Sequence, residues 1–160
     1  MIRIFVTGGT FDKTYDEIAG RLSFTDTHIG EMLQLGRARV PVSIRTLMMV
    51  DSLEMTAEDR ALIVRNCAKC KESQIVVTHG TDTIVETAAA LAAGVTGKTI
   101  VLTGAMIPYT FNSSDGLFNL GSALSFAQVL PPGIYIAMNG QCFSWDRVKK
   151  NTATGVFESS

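Results

Sequence analysis

With 160 residues, of which 46% are hydrophobic, the chain is long enough to form one globular domain around a core of its own. Its formal net charge of −1 gives no sign of the basic face that a nucleic-acid partner requires. Its cysteines number three, and an odd number argues against a disulfide framework.

The first residues do not have the pattern of a secretory signal. Met1 is followed by the apolar run 2–6, which is too short for a signal core and leads directly into a glycine motif. No apolar stretch of the sequence has the length that a membrane span needs. We therefore expect a cytoplasmic protein with no membrane partner.

The first predicted elements are a strand, a polar segment, a helix and a second strand. The apolar run 2–6 predicts a strand, and the polar residues at 12–26 predict a loop or a hairpin. Thr27 is the expected cap of a helix at 27–34. A further apolar run at 42–50 then predicts a strand.

The rest of the chain continues this alternation of strands and helices. Thr56 and Asp59 have the spacing of a capping box, which predicts that a helix begins there and continues to Cys67. The later elements are, in chain order, a strand at 75–77, a helix at 86–93, a strand at 99–102, a helix at 116–129, a strand at 134–138 and a less regular segment at 139–160. Short apolar strands between helices are typical of a parallel sheet covered on both faces. The sequence therefore predicts an α/β fold with a three-layer, doubly wound, mainly parallel sheet.

Polar residues gather where the predicted strands end. Four strands are followed by small, hydroxylated or acidic residues, at 7–10, 51–52, 78–82 and 103–106. In open α/β sheets, ligands bind beyond the carboxyl ends of the parallel strands, which all lie at one edge. Residues far apart in sequence therefore share one predicted pocket, which contains hydroxyls, backbone amides, an aspartate and a histidine.

Thr10 is the first candidate for chemistry. Gly8 and Gly9 precede it, permit a tight turn and leave backbone amides uncovered by side chains. A threonine hydroxyl needs a neighbouring base to act as a nucleophile, and Tyr15 on the polar segment is a candidate to take its proton. From 7–10 alone, a simple tight turn is an equally open interpretation.

The segment 78–83 is the second candidate. Asp82 has the position of a helix cap, but this role does not explain the hydroxyls on either side of it. His79 directly follows a buried strand and is expected to be structural. Lys150 stands near the end of the chain, where a lysine is usually solvated, so spacing alone gives it little weight.

Cys67 and Cys70 have CxxC spacing near the end of a predicted helix. A zinc site needs four ligands, or three and a water molecule, and no further ligands stand nearby in the sequence. We interpret them as incidental helix cysteines and expect neither a metal nor another cofactor.

Six short stretches, spread over nearly the whole chain, follow one another in a characteristic order. They are Thr7-Gly8-Gly9-Thr10, 51–55, 78–83, 104–106, 114–120 and 148–150. In these stretches the chain resembles the bacterial-type L-asparaginases, most closely their short single-domain members. The resemblance implies the flavodoxin-like architecture of the asparaginase N-terminal domain. It also implies a single catalytic domain at 1–160, without the C-terminal domain of full-length members.

The resemblance implies catalytic roles at five positions. Thr10 matches the family's nucleophilic threonine, and Tyr15 matches the tyrosine of a mobile flap that activates it. Thr81, Asp82 and Lys150 match a threonine, an aspartate and a lysine that lie in one hydrogen-bonded row.

It also implies substrate contacts. Ser52 matches a serine that holds the substrate's α-carboxylate, and Asp82, with Thr81 beside it, matches the acid that meets the α-ammonium. Ala105 matches a position whose backbone carbonyl faces the amide that is cleaved. Backbone amides around Gly9 are candidates to stabilise an oxyanion.

The chain departs from the full-length members in two respects. Leu53 stands where they have a substrate-binding glutamine. Their second domain supplies an acidic residue to the neighbouring subunit's site, and the sequence contains no counterpart of that domain. Glu54, or a residue of a neighbouring protomer, is a candidate to replace that acid, and weak substrate affinity is expected.

The implied function is hydrolysis of L-asparagine to L-aspartate and ammonia through an acyl-threonine intermediate. L-glutamine is a weaker alternative substrate, and a homo-oligomer is expected because the family completes its sites with subunit contacts. Two other interpretations stay open: a non-catalytic sensor of asparagine or aspartate, and a phosphate- or nucleotide-binding module. The second lacks both GxGxxG and GxxxxGK[ST]. That the chain is the front part of a longer enzyme also stays open.

Overall fold

A six-stranded sheet forms the centre of the computed structural model, which describes residues 1–160. The strands are β1 (Ile2–Gly8), β2 (Lys13–Asp16), β3 (Arg21–Phe24), β4 (Val42–Val50), β5 (Gln74–Thr78), β6 (Thr99–Thr103), β7 (Gly133–Met138), β8 (Gln141–Ser144), β9 (Val148–Asn151) and β10 (Val156–Ser159). The helices are α1 (Ile29–Leu35), α2 (Ala57–Lys69), α3 (Ile84–Gly94) and α4 (Gly116–Val129). No helix combines the length and the apolar character needed to cross a membrane.

The strand order of the sheet is β4-β1-β5-β6-β7-β8. The first five strands run parallel, and β8 pairs antiparallel with β7 at one edge. Numbered among themselves along the chain, the parallel strands have the order 2-1-3-4-5 of flavodoxin-like folds. The predicted doubly wound, mainly parallel sheet is therefore confirmed.

Helices cover both faces of the sheet because its inner strands are apolar on both sides. Ile4 and Val6 of β1 face a buried cluster that includes residues of α1 and α4. Phe5, between them, faces the opposite cluster, which includes residues of α2 and α3. Fully burying one such side chain contributes about 1.5–3 kcal/mol, so both faces stabilise the three-layer arrangement.

Most predicted elements are present, with shifts at their ends. The helix predicted at 116–129 is α4, and the polar segment 12–26 contains the β2–β3 hairpin. The helix predicted from residue 27 begins later, because His28 is its N-cap and the Thr27 hydroxyl accepts only the Ile29 amide, at 3.3 Å.

The segment 139–160 is more regular than the sequence indicated. It forms β8 and an antiparallel hairpin of β9 and β10. Val148 and Phe157 of this hairpin are buried and complete the core cluster on the α2–α3 face. The prediction was wrong here because each strand has only four residues and contains polar or charged side chains, so no apolar run marks it.

Candidate active site

The turns that follow β1 and β5 meet at the point where the strand order of the sheet reverses. In doubly wound sheets, ligands bind at this switch point, beyond the carboxyl ends of the strands. Thr10 follows β1, whereas Thr81 and Asp82 follow β5, and these two strands are neighbours. The structure thus brings two of the predicted motifs to the same edge of the sheet.

Glycines allow these turns to approach closely. Gly9 has a φ of 77°, and a Cβ at this position would lie 2.4 Å from the backbone nitrogen of Gly80. A Cβ on Gly80 would in turn lie 2.6 Å from the Oγ of Ser52, in the turn after β4. Both distances are too short for real carbon contacts, so only glycine permits the three turns to touch.

Thr10 begins a short 3-10 turn, Thr10–Asp12, directly after β1. Its backbone carbonyl accepts a hydrogen bond from the Lys13 amide, and the residue is half-buried. The interpretation of 7–10 as a tight turn is thus correct for the backbone. It does not compete with a chemical role, because the turn presents the threonine at the edge where the other motifs gather.

Thr81, Asp82 and Lys150 form a continuous polar row. The Lys150 Nζ donates to the Thr81 Oγ1 at 2.8 Å and to the Asp82 Oδ1 at 2.7 Å. The Lys150 side chain is only 13% exposed, whereas Asp82 is 46% exposed and faces solvent at the rim. Asp82 is not the cap of α3, which has Thr83 at its N-cap, so the capping alternative does not hold.

Lys150 reaches this row because of the C-terminal hairpin. It lies in β9, opposite the buried Phe157 of β10, and the Phe157 amide donates to the Asn139 Oδ1 at 3.4 Å. Packing of Phe157 and Val148 in the core holds the strand against the end of the sheet. Spacing alone gave Lys150 little weight because the position depends on contacts that spacing does not reveal.

Ser52 connects the turn after β4 to the same group. It is buried, its backbone carbonyl accepts the Thr83 hydroxyl at 2.8 Å, and its Oγ lies 3.4 Å from the Thr83 amide. Leu53, the other residue that the sequence proposed here, has a side chain that is 73% exposed. The structure thus brings Ser52 beside Gly80 and Thr83, in the same turn as Thr81 and Asp82, but leaves Leu53 on the outer surface.

Ala105 is buried in the loop after β6, and that loop is held by Asp115, the N-cap of α4, and by Asn119 within α4. The Asp115 carboxylate accepts the backbone amides of Met106 and Ile107 at 3.0–3.1 Å. The Asn119 side chain donates to the Gly104 carbonyl at 2.9 Å. Sequence reasoning included both residues in the matching stretch 114–120 but assigned them no role.

Tyr15 lies in β2 of the hairpin that follows Thr10, and it is 56% exposed. The hairpin begins directly after the turn that carries Thr10, and its strands pair from Lys13 with Phe24 to Asp16 with Arg21. The structure therefore places Tyr15 on a two-stranded flap outside the main sheet.

Two further residues near the flap were missed by the sequence reasoning. Lys13, the first residue of β2, forms an ion pair with Asp51, the residue before Ser52. The Asp51 carboxylate also accepts the Leu53 amide at 3.1 Å. Lys13 beside it holds the pKa of the Asp51 carboxyl below its ordinary value. Both residues are polar positions next to motifs, but no spacing rule joins residues 38 apart.

His79 is fully buried and has a structural arrangement of hydrogen bonds. Its Nδ1–H donates to the Gly80 carbonyl at 2.7 Å, and its Nε2 accepts the Thr87 hydroxyl at 2.7 Å. Burial lowers the pKa of the imidazole from 6.5 to about 4, so the ring is neutral at physiological pH. His79 holds the turn after β5 against α3, in agreement with the prediction.

The two cysteines of the CxxC pattern, Cys67 and Cys70, both contact the side chain of Lys98. The Lys98 Nζ donates to the Cys67 carbonyl at 2.8 Å and lies 3.4 Å from the Cys70 Sγ. Burial raises the pKa of the Cys67 thiol to about 12, which disfavours the thiolate that metals bind. No group of three or more His, Cys, Asp or Glu side chains has an arrangement that could hold a metal ion.

The surface cavities do not decide where the site is. One cavity of about 340 Å³ lies beside α1 and is lined by residues such as Glu31, Leu35 and Tyr109. Its lining includes Ser114 and Leu117 of the stretch 114–120, but none of the predicted catalytic or substrate-binding residues. We locate the candidate site at the strand ends instead, because the polar side chains converge there.

A family comparison decides which group of proteins has this arrangement. The family model of the asparaginase N-terminal domain matches residues 1–159. The chain belongs to the asparaginase family. In this family it is similar to the L-asparaginase of Thermococcus kodakarensis, with 32% identity over 155 residues, 94% of this chain and 47% of that relative. It is also similar to the glutaminase-asparaginase of Pseudomonas fluorescens biotype A, with 30% identity over 98% of this chain and 47% of the relative.

Solved asparaginase structures share the fold. The thermostable L-asparaginase from Thermococcus kodakarensis superimposes with a TM-score of 0.86 at 33% identity, over 99% of this asparaginase-family chain and 50% of that one. The probable cytoplasmic L-asparaginase from Campylobacter jejuni gives a TM-score of 0.86 at 29% identity, over 99% and 52%. The chain thus spans about half the length of the relatives that it matches.

Proposed function

We propose that this chain hydrolyses the side-chain amide of L-asparagine to give L-aspartate and ammonia. The observation that carries the proposal is the row of Thr81, Lys150 and Asp82 beside the turn that bears Thr10, in a member of the asparaginase family. The names of its relatives support the same reaction, since they include L-asparaginase and glutaminase-asparaginase.

The charged ends of asparagine would be held first. In our proposal Ser52 and adjacent backbone amides bind the α-carboxylate, while Asp82 binds the α-ammonium. Asp82 suits this role because its side chain is 46% exposed at the rim and so can meet a ligand from solvent. Holding both ends makes the attack on the side-chain amide effectively intramolecular.

The chemical step is assigned to Thr10. Its Oγ forms a bond to the amide carbon while Tyr15 takes the hydroxyl proton, and backbone amides around Gly9 and Thr81 stabilise the oxyanion. Such donors contribute roughly 3–4 kcal/mol each in other acyl-transfer enzymes. As the C–N bond breaks, Tyr15 gives its own phenolic proton to the nitrogen, which leaves as ammonia, and the acyl group remains on Thr10. Water attacks this ester and releases aspartate, so no metal or organic cofactor enters the balance.

Lys150 acts in this scheme as a positive charge. Its two hydrogen bonds orient the Thr81 hydroxyl and the Asp82 carboxylate relative to each other. The Ala105 carbonyl, in the loop that Asp115 and Asn119 hold, would face the leaving amide. We propose asparagine as the main substrate and glutamine as a weaker one, because the relatives include both an L-asparaginase and a glutaminase-asparaginase.

The decisive experiment measures ammonia release by the purified chain with asparagine, and with glutamine for comparison. We expect wild-type activity, and loss of at least roughly 1,000-fold in Thr10→Ala, as for a removed nucleophile. Thr14→Ala, a neighbouring threonine on the flap, is the matched control and should retain activity. Full ammonia release by Thr10→Ala would end the assignment. Stabilisation by aspartate without any ammonia release would instead indicate a binding protein.

We also propose that residues 1–160 act as one catalytic domain, in the cytoplasm and as a homo-oligomer. The Campylobacter jejuni neighbour, which is called cytoplasmic, supports the compartment. The solvent exposure of Asp82 at the edge of the candidate site supports the oligomer, because a second chain could pack against this edge. Cell fractionation and sedimentation of the purified chain test these two points.

A further inference from the structure

A buried carboxylate, that of Asp12, joins the two ends of the β2–β3 flap at its base. The chain enters the flap after Asp12 and leaves it before Thr27 and His28. The Asp12 Oδ1 accepts the Thr27 hydroxyl at 3.0 Å and the His28 amide at 2.8 Å. One oxygen atom therefore joins the incoming and the outgoing ends of the flap.

Asp12 also belongs to the turn that carries Thr10. It is the last residue of the Thr10–Asp12 turn, and its amide donates to the Gly9 carbonyl at 3.2 Å. The backbone of Asp12 is therefore fixed relative to the candidate nucleophile, while its carboxylate is fixed relative to the flap. Tyr15 is three residues further along, within β2.

This carboxylate is held at an energetic disadvantage. Asp12 is completely buried, and its second oxygen, Oδ2, has no hydrogen-bond partner. Burial raises the pKa of the carboxyl, against the favourable hydrogen bonds from His28 and Thr27. A buried, half-satisfied polar group is expected where function, and not stability, determines the residue.

We propose that Asp12 is a positioning residue that sets the flap, and with it Tyr15, at a fixed distance from Thr10. The inference rests on the proposed function, since it assigns a reason for the flap to be held. A displacement of about 1 Å at a catalytic group lowers rates by up to 100-fold. The two hydrogen bonds that the Asp12 Oδ1 accepts, which we call the clasp, can therefore affect the reaction rate by fixing the position of the flap. The Lys13–Asp51 ion pair supports the same base from the side of Ser52.

The variants separate this role from simple stabilisation. Asp12→Ala removes both clasp bonds, and we expect kcat to fall roughly 10- to 100-fold with a smaller change in KM. Asp12→Asn keeps an acceptor oxygen at the Oδ1 position and should retain most of the activity. Glu17→Ala is the matched control, because Glu17 is an exposed acid in the same flap and has no partner. It should behave as the wild type.

A double-mutant cycle tests whether Asp12 acts through Tyr15. In a Tyr15→Phe background, Asp12→Ala should lower kcat by less than about 2-fold, because the flap no longer carries a catalytic hydroxyl. An equal loss in both backgrounds would overturn the inference, and so would an Asp12→Ala chain with wild-type kcat. Thr27→Val, which removes one clasp bond, gives the same test if Asp12→Ala does not fold.

A readout independent of activity keeps this inference distinct from the proposed function. Trypsin cleavage after Arg21, in β3, should be faster in Asp12→Ala than in the wild type and in Asp12→Asn. If the wild type cleaves no asparagine, the proposed function fails. In that case the trypsin assay still tests the clasp, and cleavage of Asp12→Ala at the wild-type rate would overturn it. If the wild type is active and Thr10→Ala is inactive, the proposed function holds. An Asp12→Ala substitution that leaves kcat unchanged would then overturn only the role of Asp12.

Discussion

A single lysine joins the last strand pair of the chain to the loop after β5. Lys150 contacts both Thr81 and Asp82, whereas Lys149 beside it is exposed and pairs with Glu158 at 3.5 Å. Lys150 is therefore largely buried in the polar row, whereas Lys149 faces solvent. The two neighbouring lysines provide a matched pair for mutation.

We expect Lys150→Met to lower kcat by roughly 100-fold or more, as when an electrostatic group is removed from an acyl-transfer site. Lys149→Met should stay within about 2-fold of the wild type, because an exposed ion pair contributes little. Steady-state ammonia release measures both variants, and circular dichroism checks that they fold. Equal activity of the two variants would remove Lys150 from the mechanism.

His79 leads to a prediction about pH and stability. The unfolded chain binds a proton at this position below pH 6.5, whereas the folded chain binds it only near the lowered pKa of about 4. The stabilisation is therefore complete above pH 6.5 and is lost as the pH falls toward 4. The difference between these pKa values corresponds to about 3 kcal/mol.

Urea unfolding across this pH range measures the effect. We expect the wild type to lose more stability than His79→Gln, which has no titrating group at this position. If both chains lose the same amount, other groups cause the pH dependence and the neutral, buried imidazole is not its source.

At the scale of elements, two glycines have different structural reasons: one permits two turns to touch, and the other lies at an open position of a helix. Gly80 lies against Ser52, whereas a Cβ on Gly121, within α4, would meet no atom within 4 Å. Gly121→Ala should raise the free energy of unfolding by about 0.5–1 kcal/mol, because alanine is the better helix former. Gly80→Ala should lower it by about 1–3 kcal/mol through overpacking, and should also reduce ammonia release. Denaturant unfolding tests whether the two substitutions change the free energy of unfolding in opposite directions. A destabilised Gly121→Ala would contradict the prediction, because it would mean that the methyl group meets atoms at the surface of α4.

Which elements were predictable follows from how they are stabilised. The runs of β1, β5 and β6 are apolar on both faces, so composition alone predicted buried parallel strands and the edge where their loops meet. The strands β8 to β10 were missed because neighbouring strands and a few core contacts stabilise them. Thr10, Thr81 and Asp82 were found from strand-end chemistry, and Lys150 only from the resemblance. The contacts of Asp12 with Thr27 and of Lys13 with Asp51 have no sequence signal, because they depend on how the flap folds back.

For the whole molecule, the C-terminal hairpin couples stability to the candidate site. Phe157 is 1% exposed within the core, and it stands opposite Lys150 in the hairpin. Phe157→Ala should lower the free energy of unfolding by roughly 3–5 kcal/mol and also reduce activity, because Lys150 loses its support. Val156→Ala, at an exposed position in the same strand, should change stability by less than about 0.5 kcal/mol. Retention of full activity by a folded Phe157→Ala chain would contradict the coupling.

The hydrogen bonds of Lys150 span 68 and 69 residues of sequence, a separation similar to that between the paired strands β1 and β5. Closing such a loop costs entropy in both cases, but the pairing of β1 with β5 is stabilised by buried apolar side chains, whereas the polar row requires the four-residue strand β9 to dock. During refolding the central strands and their helices can therefore assemble while the polar row is still open. Catalytic competence would then return only with the final kinetic phase, when β9 docks, and a partly folded chain would be well protected in its core yet inactive.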